Sequence, residues 1–205
     1  MRTLARVQRG LETLYRIDTG VAVDDFMIDE AARDALVGSR RPREQLLAIE
    51  DRGEMALALY VDPAALAKLD AGTHELGDFL LAVEGVSHFI YAIVCARADR
   101  ALSQLELELQ AEVDKYVTCL LRGEPARDAS RAWRERLFGD AEYEPDLDGD
   151  ERDRYRAAND NANRYAAWLE AEFVAPRRIP EMLGELRRFY RDGLAAKLAR
   201  IARAA

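Results

Sequence analysis

The spacing of hydrophobic residues predicts a mostly helical chain that begins with an amphipathic helix. Leu4, Val7, Leu11 and Leu14 recur every three or four positions, which is the period of one face of an α-helix. The pattern therefore predicts a first helix over residues 3–15.

A segment with a period of two follows and indicates a β-hairpin. Residues 45–50 and 55–61 flank the turn sequence 51–54, in which Gly53 suits a positive φ angle. An isolated two-stranded hairpin is only marginally stable in water. We therefore expect it to pack on helices, to gain a strand or to pair with a second copy of itself. The last of these possibilities predicts a homo-oligomer.

The rest of the chain has the pattern of a helical bundle. Segments 76–96 and 100–121 are long helices joined by a short turn at Asp99, which predicts an antiparallel helix hairpin. The predicted fold class is therefore mainly α (α+β), a helical bundle with this long hairpin and one small β-hairpin. We expect a single domain over residues 1–205, made of a smaller α+β part (1–75) and a helical part (76–205).

Three more helices are predicted beyond the helix hairpin, the first a short one after Pro125 with Trp133 and Leu137 on one face. Asp150 suits the N-cap of a helix that runs to Phe173, with Asp153 at the third helical position. Pro176 and Pro180 then form a hinge before one last amphipathic helix.

Composition and charge narrow the function classes. The chain has 205 residues, a hydrophobic fraction of 49% and a formal charge of −8, which is typical of a globular protein and weighs against a general nucleic-acid binder. Of the 30 basic residues only Lys68, Lys115 and Lys197 are lysines. This bias is typical of a GC-rich bacterial genome, so the abundance of arginine does not by itself indicate a function.

The sequence predicts a cytoplasmic protein without a membrane span. Its N-terminus lacks the apolar region of a signal peptide. The most apolar stretch, residues 79–96, contains Glu84, Ser87 and His88, which disfavour a membrane helix. The cysteines Cys95 and Cys119 are too few for a disulfide framework.

A polar cluster on the helix hairpin is the main candidate ligand site. In an antiparallel pairing around Asp99, Glu84 and His88 come level with Glu108 and Glu112. A buried hydrogen-bonded network or a solvent-facing stripe is the favoured interpretation. A small-molecule, catalytic or metal site is the alternative, although the di-iron pattern requires Glu-x-x-His on two helices.

Other motifs fail on inspection. The segment Asp146–Glu151 resembles a calcium loop, but it has Glu151 where an EF-hand requires glycine and Ala157 where it requires the final glutamate. Ser87 and His88 are neighbours on a helix, so their side chains diverge and cannot act as nucleophile and base. We therefore predict no cofactor, and we assign no catalytic and no metal-binding residue.

Arginines form a second candidate site, for an anion. The segment 177–203 contains eight basic and three acidic residues, and a second basic stretch lies at 39–43. Pairing with the acidic region 140–153 explains these arginines equally well. The anion-binding candidates are Arg40, Arg41, Arg43, Arg187, Arg188 and Arg191.

These observations lead to three function hypotheses. The first is a non-enzymatic interaction or adaptor module that binds a protein partner or itself. The second is a small-molecule- or metal-binding protein, or an enzyme, that uses the cluster Glu84, His88, Glu108 and Glu112. The third is a nucleic-acid accessory protein that uses the arginine-rich last helix, which the acidic net charge disfavours.

Overall fold

The computed structural model describes residues 3–37, 42–51, 54–139 and 148–204. Within these ranges nine α-helices accompany one two-stranded sheet, which confirms the mainly α (α+β) class. The helices are α1 (Thr3–Tyr15), α2 (Glu30–Leu36), α3 (Pro63–Ala71), α4 (Leu76–Arg97), α5 (Gln104–Leu121), α6 (Arg127–Arg134), α7 (Gly149–Leu169), α8 (Ile179–Arg191) and α9 (Leu194–Ala204), and the strands are β1 (Glu44–Asp51) and β2 (Glu54–Val61). A short 3₁₀ helix spans Val23–Phe26, and two π-helical turns span Glu135–Gly139 (the first π turn) and Glu170–Val174 (the second π turn).

The chain divides into two compact units. The first contains residues 1–13 and 17–101, and the second contains residues 14–16 and 102–205. This division falls after Ala101, whereas the sequence pattern changes from mixed to helical near residue 75. Since α4 belongs to the first unit and α5 to the second, the single domain and the antiparallel packing of these two helices stay predictions.

The first unit is built around the predicted β-hairpin. Strands β1 and β2 pair antiparallel in a register that runs from Glu44↔Val61 to Asp51↔Glu54. The outer edge of β2 is paired at Leu59, because the Ile28 N–H donates to the Leu59 carbonyl and a bridge joins Met27 to Leu59. The segment Met27–Ile28 thus pairs with β2 at one position, while the sheet remains two-stranded. Homo-oligomer formation stays a prediction.

Helix α4 supports the hairpin from one face. An added Cβ at Gly85 would lie 3.0 Å from Val61 Cγ2 and 3.1 Å from Glu44 Cγ, so this glycine lets α4 approach the strands closely. Among the described residues α4 is the one helix with the length and hydropathy of a membrane span, and 72% of its most apolar stretch is buried inside the protein. Such burial is typical of a core helix in a globular protein.

Charged side chains fix the start of α4. Glu75 and Asp78 form a reciprocal capping box, and the Asp78 carboxylate also pairs with Arg43 at 3.2 Å and with Lys68 at 3.7 Å. The hydrogen bond from the Glu75 backbone N–H, supported by Arg43 and Lys68, lowers the pKa of Asp78 below its usual value of 3.8, although burial acts in the opposite direction.

This arrangement predicts that the first unit loses stability in acid. A carboxyl group with a lowered folded-state pKa contributes stability that is present above its unfolded pKa and is lost as the pH falls through the folded value. We expect the free energy of unfolding to decrease below about pH 4, and Asp78→Asn to make this decrease shallower. Denaturant unfolding at a series of acidic pH values measures both effects, and parallel curves for the two proteins would contradict the assignment.

The second unit is a layered arrangement of helices. Helix α5 packs along α7, and α7 packs on α9. The buried core includes Leu109, Val117, Tyr165, Leu186 and Ile201. Cys95 of the first unit and Cys119 of this one are buried and belong to no disulfide, and burial raises the pKa of Cys119 to about 11, so the Cys119 thiol is inert near neutral pH.

Two sequence predictions about the second unit are wrong in detail. Helix α7 is capped by Asp148 with Glu151 at the third position, and not by Asp150 with Asp153. Both pairs have cap chemistry, and the earlier one forms. The predicted single last helix is two helices, because Asp192 takes an extended conformation (ψ 141°) and Gly193 follows it.

Candidate functional site

The histidine of the predicted polar cluster is buried against the hairpin. His88 is 4% exposed, and its Nδ1 lies 3.4 Å from Oε1 of Glu44 on β1. The ligand atoms of Glu84 and His88 lie within 4.8 Å of each other on α4. Sequence reasoning missed Glu44 because helical spacing says nothing about which strand packs on a helix.

The other two members of the cluster lie in the second unit. Glu108 is 8% exposed on α5, and Glu112 on the same helix binds Lys115 at 2.6 Å. It therefore stays a prediction that the four side chains form one cluster, with Glu84 and His88 close to Glu108 and Glu112.

Three of the six predicted anion-binding arginines, namely Arg43, Arg187 and Arg191, bind groups of the protein itself. Arg43 pairs with Asp62 and Asp78 in the first unit. In the second unit Arg187 donates to the Leu14 carbonyl and Arg191 to the Tyr15 carbonyl. Basic side chains commonly bind the last carbonyls of a helix in this way. Arg40 and Arg41 lie outside the described residues.

The remaining candidate, Arg188, lines a cavity of about 550 Å³ in the second unit, here called the arginine pocket. Helices α8 and α9 form most of its wall, and the end of α7 with the second π turn completes it. Its lining residues are Trp168, Phe173, Arg178, Glu181, Gly184, Glu185, Arg188, Arg200 and Arg203.

A buried carboxylate organises one side of the arginine pocket. Glu185 is 3% exposed; its Oε2 accepts hydrogen bonds from Arg188 at 2.8 and 3.2 Å. Its Oε1 accepts another from Arg200 at 3.2 Å. Burial and the neighbouring Glu185 also raise the pKa of Tyr165 well above its usual value, so that phenol stays protonated.

Two other arginines of the lining, Arg178 and Arg203, make fewer close contacts with protein groups. The Arg178 guanidinium lies 5.7 Å from the centre of the Phe173 ring and 3.7 Å from Glu181. Within the described ranges Arg203 makes no ion pair. With four arginines against two glutamates, the lining has a formal charge of +2.

Aromatic rings form the apolar wall. Phe173 meets Trp168 edge to face with ring centres 5.3 Å apart, and Trp168 stacks on the buried Tyr165 at 5.8 Å. The indole is thereby fixed in orientation. The pocket joins a rigid aromatic face to a surplus of positive charge.

Comparison of the chain with family models, curated proteins and solved structures found no match. Function therefore has to follow from the chemistry of the site. The sequence signal for this pocket was present in the arginines of 177–203, but Arg200 and Arg203 are also explained by the dipole of the last helix. Trp168 and Phe173 gave no such signal, because helical aromatics are usually core residues.

A third polar group, centred on Lys197, lies in the core of the second unit. Lys197 and Gln110 are both 0% exposed, and the lysine Nζ donates to the Gln110 Oε1 at 2.6 Å. The Gln110 amide donates in turn to Asp114 at 2.9 Å, and Tyr15 donates to the same carboxylate. Burial and Asp114 raise the pKa of Tyr15 well above its usual value, so Tyr15 stays a donor. This network is structural, because a ligand has no access to it.

Proposed function

We propose that the protein is a non-enzymatic binding module of a bacterial cytoplasm that holds an anionic aromatic group in the arginine pocket. The observation that carries this proposal is the lining itself, in which four arginines and two glutamates leave a charge of +2 beside a fixed indole. A cavity of 550 Å³ is in the size range of small-molecule sites.

The division of roles within the pocket follows from the existing ion pairs. Arg188 and Arg200 are occupied by Glu185, so Arg178 and Arg203 are the groups that receive the anion. Guanidinium groups bind phosphate and carboxylate through paired hydrogen bonds. The aromatic part of the ligand then stacks on Trp168, which adds roughly 0.5–1.5 kcal/mol beyond its buried area.

The same chemistry suits a segment of a protein partner in which an acidic residue adjoins an aromatic one. The interaction-module hypothesis is therefore compatible with this pocket. A nucleic-acid partner is less compatible, because the net charge of −8 opposes contact with a long polyanion. The ligand-binding alternative at Glu84, His88, Glu108 and Glu112 stays a prediction.

Fluorescence titration with phenyl phosphate tests the proposal. The chain contains two tryptophans, so Trp133→Phe leaves Trp168 as the only reporter. We expect saturable quenching with a Kd below about 1 mM. In that background Arg178→Ala with Arg203→Ala is expected to weaken binding at least about tenfold, because each variant removes a charge-assisted contact.

Two controls separate binding in the pocket from general attraction. Arg164 is exposed on α7 and does not line the pocket, so Arg164→Ala is expected to leave the Kd unchanged. Cyclohexyl phosphate, which keeps the charge but lacks the aromatic ring, is expected to bind more weakly. No quenching by phenyl phosphate, or equal losses in the pocket and control variants, would contradict the proposal.

A further inference from the structure

A second cavity, here called the α6 pocket, lies elsewhere in the second unit. It has a volume of about 730 Å³ and lies between α6, the first π turn, α7 and the second π turn. Its lining residues are Arg127, Asp128, Arg131, Arg134, Glu135, Gly139, Asn163 and Glu170. None of them belongs to the arginine pocket.

One face of α6 supplies the basic groups of this pocket. Arg127, Arg131 and Arg134 are spaced four and three residues apart, so they lie on the same side of the helix. The side chains of Arg127 and Arg131 are 74% and 73% exposed. Arg131 pairs with Glu135 at 2.9 Å on the surface, and such exposed pairs are weak enough for a ligand to replace.

Glu170 is the buried acid of the pocket, and a chain of hydrogen bonds orients it. It is 8% exposed, and its Oε2 accepts from the Ser130 hydroxyl at 2.9 Å and from Arg134 at 3.4 Å. Ser130 is itself hydrogen-bonded to the Tyr116 hydroxyl at 2.7 Å. Burial raises the pKa of Tyr116 to about 12, so that it stays protonated as a donor.

The second oxygen of Glu170 keeps room for another donor. The Nε of Arg127 lies 4.0 Å from Oε1, which is beyond hydrogen-bond distance. A buried carboxylate oxygen that faces a polar cavity is stabilised by a positively charged donor from a ligand. Glu170 also begins the second π turn, and π turns within helices frequently mark functional sites.

The charge balance distinguishes this pocket from the arginine pocket. Its three arginines are matched by Asp128, Glu135 and Glu170, so the formal charge of the lining is zero. A neutral ligand with separate positive and negative groups fits this balance better than an anion does.

We propose that the α6 pocket binds an α-amino acid as its zwitterion. The ligand ammonium group donates to Oε1 of Glu170, and the ligand carboxylate accepts from Arg127 and Arg131. The positive ammonium group of the ligand thus lies beside the negative Glu170, and its negative carboxylate lies beside the positive Arg127. Asn163, which accepts from Arg134 at 3.2 Å, helps to hold that arginine in place.

Thermal unfolding with each proteinogenic L-amino acid at about 5 mM tests the proposal, because a ligand that binds the folded state raises Tm. We expect at least one amino acid to raise Tm and to give a Kd by calorimetry. Its methyl ester and its desamino analogue each lack one charged group, and both are expected to bind at least about tenfold more weakly.

Variants then locate the site. Glu170→Gln keeps the size of the side chain and its acceptor for Ser130, and it is expected to weaken binding at least about tenfold. Arg131→Ala, at an exposed position, is expected to do the same without loss of fold. Arg203→Ala in the arginine pocket is expected to leave amino-acid binding unchanged. The two proposals, one for each pocket, are therefore tested independently of each other. No rise in Tm with any amino acid, equal binding of the desamino analogue, or unchanged binding by Glu170→Gln would overturn the inference.

Discussion

Lys197→Met is expected to destabilise the second unit by about 3–5 kcal/mol, because it removes one charge from a fully buried network. The loss leaves Oε1 of Gln110 without the donor that now lies 2.6 Å away. It also leaves the Asp114 carboxylate in the core without the cation that the glutamine bridges to it. Denaturant unfolding measured by tryptophan fluorescence reports on this unit, since Trp133 and Trp168 both lie in it.

Two further variants test this interpretation of Lys197. Lys68 is about half exposed in the first unit, so Lys68→Met is the matched control and should leave the fluorescence transition in place. Asp114→Leu combined with Lys197→Met is expected to cost less than the sum of the single changes, because the pair leaves no uncompensated buried charge. A loss below about 1 kcal/mol for Lys197→Met would show that the lysine is not bound as described.

Gly85→Leu is expected to destabilise the first unit by about 3 kcal/mol or more through overpacking. In an exposed helix the same change is favourable by about 1 kcal/mol, since leucine is the better helix former. At residue 85 the first added carbon already lies 3.0 Å from Val61, and the strand cannot move aside without breaking its pairing with β1.

Gly77 provides the control on the same helix. An added Cβ at Gly77 meets nothing within 4 Å, so Gly77→Leu is expected to leave the free energy of unfolding unchanged or to raise it by up to about 1 kcal/mol. Hydrogen exchange of the amides of β1 and β2 measures the effect where it acts. If these amides exchange as slowly in the Gly85→Leu variant as in the unsubstituted protein, the close approach of α4 to the hairpin is wrong.

The sequence predicts local structure better than it predicts sites. Helix α1 and the hairpin follow from hydrophobic periods of three to four residues and of two residues. The N-cap of α7 was misplaced because Asp148 and Asp150 offer the same cap chemistry two residues apart. Helical spacing continued through Asp192 and Gly193, so the break between α8 and α9 was hidden.

The candidate sites depended on contacts between distant segments. Lys197 shares a helical face with Leu194 and Ile201, which is a signal of burial that its charge concealed. The stripe of Arg127, Arg131 and Arg134 was also visible as a spacing. Its buried partner Glu170 lies 36 residues from Arg134 along the chain, and no local pattern joins the two.

The second π turn has a geometric consequence for the two pockets. Glu170 lines the α6 pocket, and Phe173, three residues later in the same turn, lines the arginine pocket. In an α-helix, side chains three residues apart point about 60° from each other. A π turn closes through i→i+5 hydrogen bonds and so has more residues in each turn than an α-helix, which makes that angle wider. The wider angle directs the two side chains to different sides of one helix, so a single five-residue turn contributes to two cavities. Loss of one residue from this segment would return it to the α-helical period and disturb both cavities at once.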